Sequence, residues 1–373
     1  MAVEQLNKTD EPEYEAFIQN HSSSVAFEHT LLWREVMSAN FGFIPYFLVY
    51  KNFNGKIEGI LPLFKAKSIF GTRFVSTPYS ITTGIIAENK SAQEELVSFA
   101  KELCLREKAS FVEIRERNEK NYGDYAKIST VFNFSLQLTN NIEEIWKKLP
   151  KSSVRWGIKK AQNSGLTWNC GSSHPELDDF FKLFLQTRKH RGVPGYPYDY
   201  FRDIINTFGE KVRIYITKKD NKPIAAIFLI YYQKEVRYAF AGATYDKEML
   251  NLQPYHLILW EAIKDACVQD YQVFNFGGAT LATNDGGLYE FKRKWGDKVE
   301  KVHSYFYYNN QKKSSKLDNG SNNNSSDNNG NNPGNKHGND KNIVLLKVAS
   351  KIWQKLPLSV IKKISPYVIK QFV

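Results

Sequence analysis

The stretch FIPYFLVYKNFNGKIEGILPLF, Phe43–Phe64, holds two runs rich in apolar and aromatic residues separated by Asn54-Gly55. It reads as two strands joined by a tight turn, because Asn-Gly readily adopts the positive φ angles that hairpin turns need. VRIYITKKDNKPIAAIFLIY, Val212–Tyr231, has the same shape, with its turn at Asp220-Asn221. Gly55-Lys56 falls opposite Asn221-Lys222, an offset of 166 residues. Working outward, each hairpin is followed by a predicted strand, Phe74–Ile86 or Val236–Thr244, and then a helix, Ala92–Lys108 or Pro254–Gln269. A buried-type strand closes each copy, Phe111–Ile114 or Val273–Phe276, at an offset of 162. Two copies of one unit in register predict an internal duplication. The element order predicts an α/β (α+β) fold of two tandem acetyltransferase-like domains, each a mixed sheet flanked by helices. The expected boundaries are 1–145 for the first domain and 146–310 for the second.

Composition bounds the rest. A chain of 373 residues that is 42% hydrophobic has material for two cores. No apolar run is long enough to span a bilayer, and Met1–Asn20 is polar and acidic rather than a secretory leader, so a cytoplasmic location is expected. Three scattered cysteines, Cys104, Cys170 and Cys267, give no disulfide framework and read as buried thiols, and the seven histidines show no ligand spacing. No metal or resident cofactor is expected. Of the net charge of +12, the last 33 residues, Lys341–Val373, carry +7 with no acid, and residues 1–310 carry only +4. Bulk charge is therefore weak evidence for a nucleic-acid partner of the body.

The Asn-rich linker is placed at 311–342, and its stretch Asp318–Asn342 holds no large apolar side chain, which predicts a flexible tether. Residues 343–373 turn apolar and basic again: Leu345, Val348, Ile352 and Leu356 share one helical face, with Lys347, Lys351 and Lys355 on another. After Pro357 a second short helix carries Ile361, Ile364 and Val368, and Trp353 would suit a headgroup boundary. Two readings stand, a helix lying in an anionic membrane surface and a helix docked on the body.

KLPKSSVRWGIKKAQNSGLTW (Lys148–Trp168), RKHRGVPGYPYDYF (Arg188–Phe201) and NFGGATLATNDGGLYEFKRKWG (Asn275–Gly296) mark the second copy. GILPLFKAKSIFGTRFVSTPYSITTGII (Gly59–Ile86) and FVEIRE (Phe111–Glu116) mark the first. Together they resemble the FemAB-like aminoacyltransferase family of tandem acetyltransferase-fold proteins, including its exosortase- and polysaccharide-associated branches. The resemblance covers about residues 25–308, and FKRKWG after a glycine-rich strand exit is its most specific part. It implies an acyltransferase that moves an aminoacyl group from aminoacyl-tRNA to an amine of a lipid-linked or nucleotide-linked envelope precursor. It also implies that Lys292 stands at the active centre. Where many relatives read aspartate-phenylalanine-glycine-arginine, this chain has Asn275 and Gly278, so no general base is available at position 275.

The residues can be read without the resemblance. Ser152 or Ser153 can cap a helix ending at Gly165, on which Arg155, Lys159 and Lys160 form a basic face suited to a phosphate-bearing substrate or simply solvated. Arg188, Tyr198 and Tyr200 surround a Pro-Gly-rich turn and either rim a substrate or pack. Lys292 can stabilise an oxyanion, with Tyr289 beside it as a substrate contact. Asp285 and Glu290 lie close in sequence, but neither is assigned as a base. An acyl-CoA donor is disfavoured, because the turn Asn251–Tyr255 has no glycine and its Pro254 offers no amide hydrogen to a pyrophosphate. Two further readings are an acyl-CoA-dependent N-acyltransferase and a non-catalytic, membrane-recruited glycan-binding protein.

Overall fold

Both hairpins are present in the protein, analysed as a computed structural model that describes residues 2–281, 286–309 and 348–372. After the edge strand β1 (Ala2–Gln5) come β2 (Ile44–Lys51) and β3 (Ile57–Ser68), which pair antiparallel. The second hairpin is formed by two strands, Val212–Lys219 and Lys222–Tyr232. Its turn residues Asp220 and Asn221 take φ of +49° and +61°, the mirror-image turn whose twist matches paired strands. The strand expected over Phe74–Ile86 is shorter and earlier, as β4 (Gly71–Ser76). It stops because Pro78 cannot donate to a ladder and its neighbours Thr77 and Tyr79 take φ of +44° and +63°. The chain rejoins the sheet as β5 (Ile86–Ala87) and then as β6 (Phe111–Glu116).

The remaining strands are β7 (Ala126–Gln137), β8 (Thr167–Gly171), β9 and β10 of the second hairpin, β11 (Glu235–Ala243), β12 (Val273–Thr280) and β13 (Lys298–Tyr308). Among the described residues they form one sheet in the order β1-β2-β3-β4-β6-β13-β7-β12-β11-β10-β9-β8. The two copies exchange their last strands. β7, from the first copy, pairs with β12, whereas β13, from the second, pairs with β6. β7 and β13 also pair with each other, so the ladder runs unbroken from one copy into the other.

Helices cover both faces. The first copy supplies α1 (Glu11–Asn20), α2 (Leu31–Phe41) and α3 (Lys90–Arg106). The second supplies α4 (Ile142–Lys148), α5 (Trp156–Gln162), α6 (His174–Arg191), α7 (Tyr198–Phe208), α8 (Lys247–Asn251), α9 (Pro254–Val268) and α10 (Gly286–Trp295). Period-two alternation sorts β10 between two cores: Ala226, Phe228 and Ile230 face one, Ala225, Ile227 and Leu229 the other. The first of these is common to both copies, joining Tyr14, Phe17 and Met37 to Phe180, Phe184 and Phe201. α3 seals a separate core against Leu48, Leu61 and Val112. No helix among the described residues is long and apolar enough to cross a membrane.

Two local expectations need correction. Lys151–Arg155 form a single π-helical turn behind Pro150, so neither Ser152 nor Ser153 caps a helix, although Gly165 does take the left-handed conformation at φ +65°. Of the cysteines, Cys104 and Cys267 are buried but Cys170 is exposed.

The linker at 311–342 lies outside the described residues. Beyond it, residues 348–355 (α11) are helical and α12 (Leu358–Ile369) follows. α12 docks on the body: Ile361 and Ile369 are buried in the shared core, and Trp353 packs against it instead of facing outward. Gly195 N donates to Ser365 Oγ (3.2 Å), Tyr79 Oη to Ile369 O (3.0 Å) and Arg73 to Gln371 O (2.7 Å). Val348, Ile352 and Tyr367 stay exposed.

Close approach of α6 to the sheet depends on Gly242 of β11, where an added Cβ would lie 2.3 Å from the backbone N of Phe184. Gly242→Ala is expected to destabilise the fold by about 1–3 kcal/mol through overpacking, read as a lower denaturant midpoint in chemical unfolding.

Candidate active site

The site arises where two parallel strands part. β11 and β12 pair only from Glu235–Val273 to Arg237–Asn275. A bulge between Asn275 and Gly277 then turns β12 away, with Asn275 Oδ1 accepting the Gly277 N–H at 2.8 Å and Gly277 at φ +73°. Past this fork Tyr238–Ala241 on one strand and Gly277-Gly278 on the other face a gap instead of each other. Asn275 is 2% exposed and serves the bulge.

Lys292 reaches into this fork from α10. It is 8% exposed, its Nζ donates to Gly278 O at 2.9 Å, and the ammonium stands 5.8 Å from the centre of the Tyr238 ring. Two cavities meet at it. The outer, about 460 Å³, is lined by Arg188, Arg191, Tyr196, Tyr238, Tyr255 and Lys292, among others. The inner, about 150 Å³, adds Glu28, Ser80, Tyr200, Arg237 and both glycines.

Charge is unevenly compensated around these cavities. Arg188 donates to Pro194 O at 2.8 Å and lies over the rings of Phe184 and Tyr196. Burial lowers its pKa, and among the described residues it has no carboxylate partner. In the inner cavity Arg237 is 3.5 Å from Glu28 and 2.7 Å from Glu235. Burial opposes the Arg237 charge, but the two carboxylates outweigh it and raise its pKa. Burial raises the pKa of Glu28 despite Arg237. The loop carrying Glu28 is pinned by His29, whose Nδ1 accepts from Ala26 N (3.1 Å) and whose Nε2 donates to Gly84 O (3.2 Å).

Residues 151–293 match the acetyltransferase (GNAT) domain family. A UDP-N-acetylmuramoylpentapeptide-lysine N(6)-alanyltransferase of Weissella viridescens is 26% identical over 180 residues, which is 48% of this chain. The match spans 53% of that enzyme, so the chain aligns with about half the length of this relative. Among solved structures, FemX superposes with a TM-score of 0.66 at 14% identity, over 85% of this chain and all of that one. The chain has the FemX fold and carries a GNAT domain in its second half. The C-terminal domain of a putative lysylphosphatidylglycerol synthetase from Agrobacterium fabrum shares the fold at a TM-score of 0.53 and 13% identity, over 84% of this chain and 96% of that one.

On this fold the residues singled out from sequence fall into two groups. Lys292, Arg188 and Tyr200 line the joined cavities. Arg155, Lys159 and Lys160 lie on the π-turn and α5 and line neither cavity, with Lys160 Nζ 5.0 Å from the Trp156 ring centre. Tyr198 donates to Asp178 and packs on Phe181, and Tyr289 packs edge-on against Phe132 and Phe134. Glu290 is exposed and paired with Arg293, and Asp285 lies outside the described residues. Sequence reading passed over Glu28, Arg237, Tyr79 and Tyr238. Arg237 did leave a signal, a lone cation within the strand EVRYAFAGA. Glu28 left none, because its neighbours in space are more than 50 residues distant in the chain.

His29 links this geometry to pH. Its folded-state pKa is pushed down to about 4 by burial, below the ordinary histidine value. The unfolded state therefore binds the proton better, so stability is full above that ordinary value and is lost as pH falls toward 4. Unfolding at pH 5 should cost roughly 2 kcal/mol less than at pH 7 on this account alone, and His29→Gln should remove that share of the slope in urea titrations at the two pH values.

Proposed function

We propose that the protein is an aminoacyltransferase that moves an aminoacyl group from aminoacyl-tRNA to an amine of a peptidoglycan or other envelope precursor, nucleotide-linked or lipid-linked. The observation that carries this reading is the placement of Lys292 at the throat between two cavities, with its ammonium against the opened backbone of β12. The Weissella relative, named for placing alanine on a lysine of a nucleotide-linked muramoylpentapeptide, supports the choice of acceptor class.

In the proposed reaction a neutral acceptor amine attacks the ester carbonyl, the C–N bond forms, and the carbonyl oxygen becomes an oxyanion. Lys292, 8% exposed, stabilises that oxyanion from a largely desolvated position, where a fixed cation is worth more than in bulk. Collapse breaks the C–O ester bond, and the ribose oxygen leaves as the hydroxyl after taking the proton the amine gives up, directly or through water. Arg188 and Arg191 of the outer cavity supply positive charge for phosphate groups of the donor end or the acceptor. Support against an acyl-CoA donor lies at the start of α9, where Gln253 takes φ +63° and Pro254 follows without an N–H.

For the tail we propose contact with an anionic membrane surface from the cytoplasmic side. Val348, Ile352 and Tyr367 stay exposed, and Lys351, Lys355, Lys362 and Lys363 are exposed around them. The paired substitution Ile352→Glu with Tyr367→Glu is expected to reduce co-sedimentation with phosphatidylglycerol vesicles several-fold. Equal sedimentation of both proteins would refute membrane contact through this face.

The central test is amide formation from charged tRNA and a muramoylpentapeptide acceptor. Lys292→Ala should lower kcat by about 100- to 1,000-fold with circular dichroism unchanged, and activity retained at the wild-type level in that variant would overturn the mechanism.

A further inference from the structure

The inner cavity holds a carboxylate oxygen that the protein leaves unsatisfied. Glu28 is 4% exposed; its Oε1 accepts from Ser80 Oγ at 3.1 Å and lies 3.5 Å from Arg237, while Oε2 is buried without a hydrogen-bond partner. A buried carboxylate oxygen without a donor costs stability, and one that lines a cavity can be satisfied by a donor on a ligand. The side chain is not free to find another partner, because the His29 ring and the bond from Tyr14 Oη to His29 O (2.8 Å) fix the loop. Arg237, the cation 3.5 Å from its Oε1, is shared with Glu235.

The same small cavity carries Lys292. A carboxylate acceptor and an ammonium donor thus address one space of about 150 Å³. A group that satisfies both must carry a cation and a carbonyl oxygen a few atoms apart. An α-aminoacyl ester is such a group: its ammonium is separated from the carbonyl carbon by a single carbon. A simple acyl thioester presents the carbonyl alone.

We propose that Glu28 binds the free α-ammonium of the aminoacyl donor, so that the inner cavity selects an aminoacyl group over a plain acyl group. This rests on the aminoacyl-transfer reading above. With the ammonium held by Glu28, the carbonyl oxygen turns toward Lys292 and the ester bond toward the outer cavity, where Arg188 and Arg191 lie. The donor amine stays protonated and cannot act as the nucleophile, which leaves the acceptor amine as the attacking group.

The probes are glycyl and alanyl groups joined by a stable amide to the 3′ position of adenosine, each set against its desamino counterpart, the acetyl or propionyl amide. Calorimetry on the full chain should show the aminoacyl forms binding about tenfold or more tighter than the desamino forms. Glu28→Gln should bring the two forms to within about twofold of each other. Equal binding of both forms by the wild type would overturn the ammonium site and leave aminoacyl transfer standing. No binding of any form would overturn the aminoacyl-tRNA donor along with it. Should Glu28→Gln fail to fold, the wild-type comparison decides alone.

Discussion

The early parting of β11 and β12 is the constraint on which the rest of the molecule depends. Parallel pairing that continued past Arg237 and Asn275 would bury the backbone of both strands in a ladder and leave no room for a ligand. The bulge at Asn275–Gly277 ends the pairing, and its cost is limited by the Asn275 side chain, which takes up the freed Gly277 N–H. β12 is not left with an open edge, because β7 from the other copy pairs along its far side as far as Thr280. A strand lent by the first copy therefore holds open the fork in the second.

Both copies also contribute side chains to the fork. Glu28 and Ser80 come from the first, Arg237 and Lys292 from the second, and the ion pair between Glu28 and Arg237 crosses the boundary with both partners 5% exposed. Its worth to folding is modest, since removing two charges from water offsets much of their attraction. Its effect on geometry is larger, because it ties a loop of the first copy to a strand of the second beside the cavity. Desolvation dominates the local chemistry: it raises the pKa of Glu28 and lowers that of Arg188. In such surroundings a ligand of complementary charge gains more than it would on an exposed surface.

Much of the architecture was legible because local rules carried it. The hairpin turns at Asn54-Gly55 and Asp220-Asn221, the helices α3 and α9, and the strands β6 and β12 each announce themselves within a dozen residues. The strand exchange could not be read this way. β7 and β13 look like ordinary strands, and nothing in AKISTVFNFSLQ states that its partner lies beyond residue 270. The site divides along the same line. Lys292 stood out through a sequence resemblance and Arg188 through its position beside a turn, whereas Glu28 acquires meaning only from neighbours contributed by distant segments. The tail was legible as amphipathic, but its pattern could not reveal that Ile361 and Ile369 meet an apolar surface of the body.

The exchanged strands also bear on how the chain is made. As the first copy leaves the ribosome, its β6 lacks the neighbour it will finally have, because the pairing of Ile114 with Tyr305 awaits a segment about 190 residues further along. Until then that apolar edge is open to wrong partners, including the same edge on a neighbouring nascent chain. Contacts of such long range slow the final closure. Closure of the sheet therefore waits for β13, which enters between two strands, β6 and β7, made well before it.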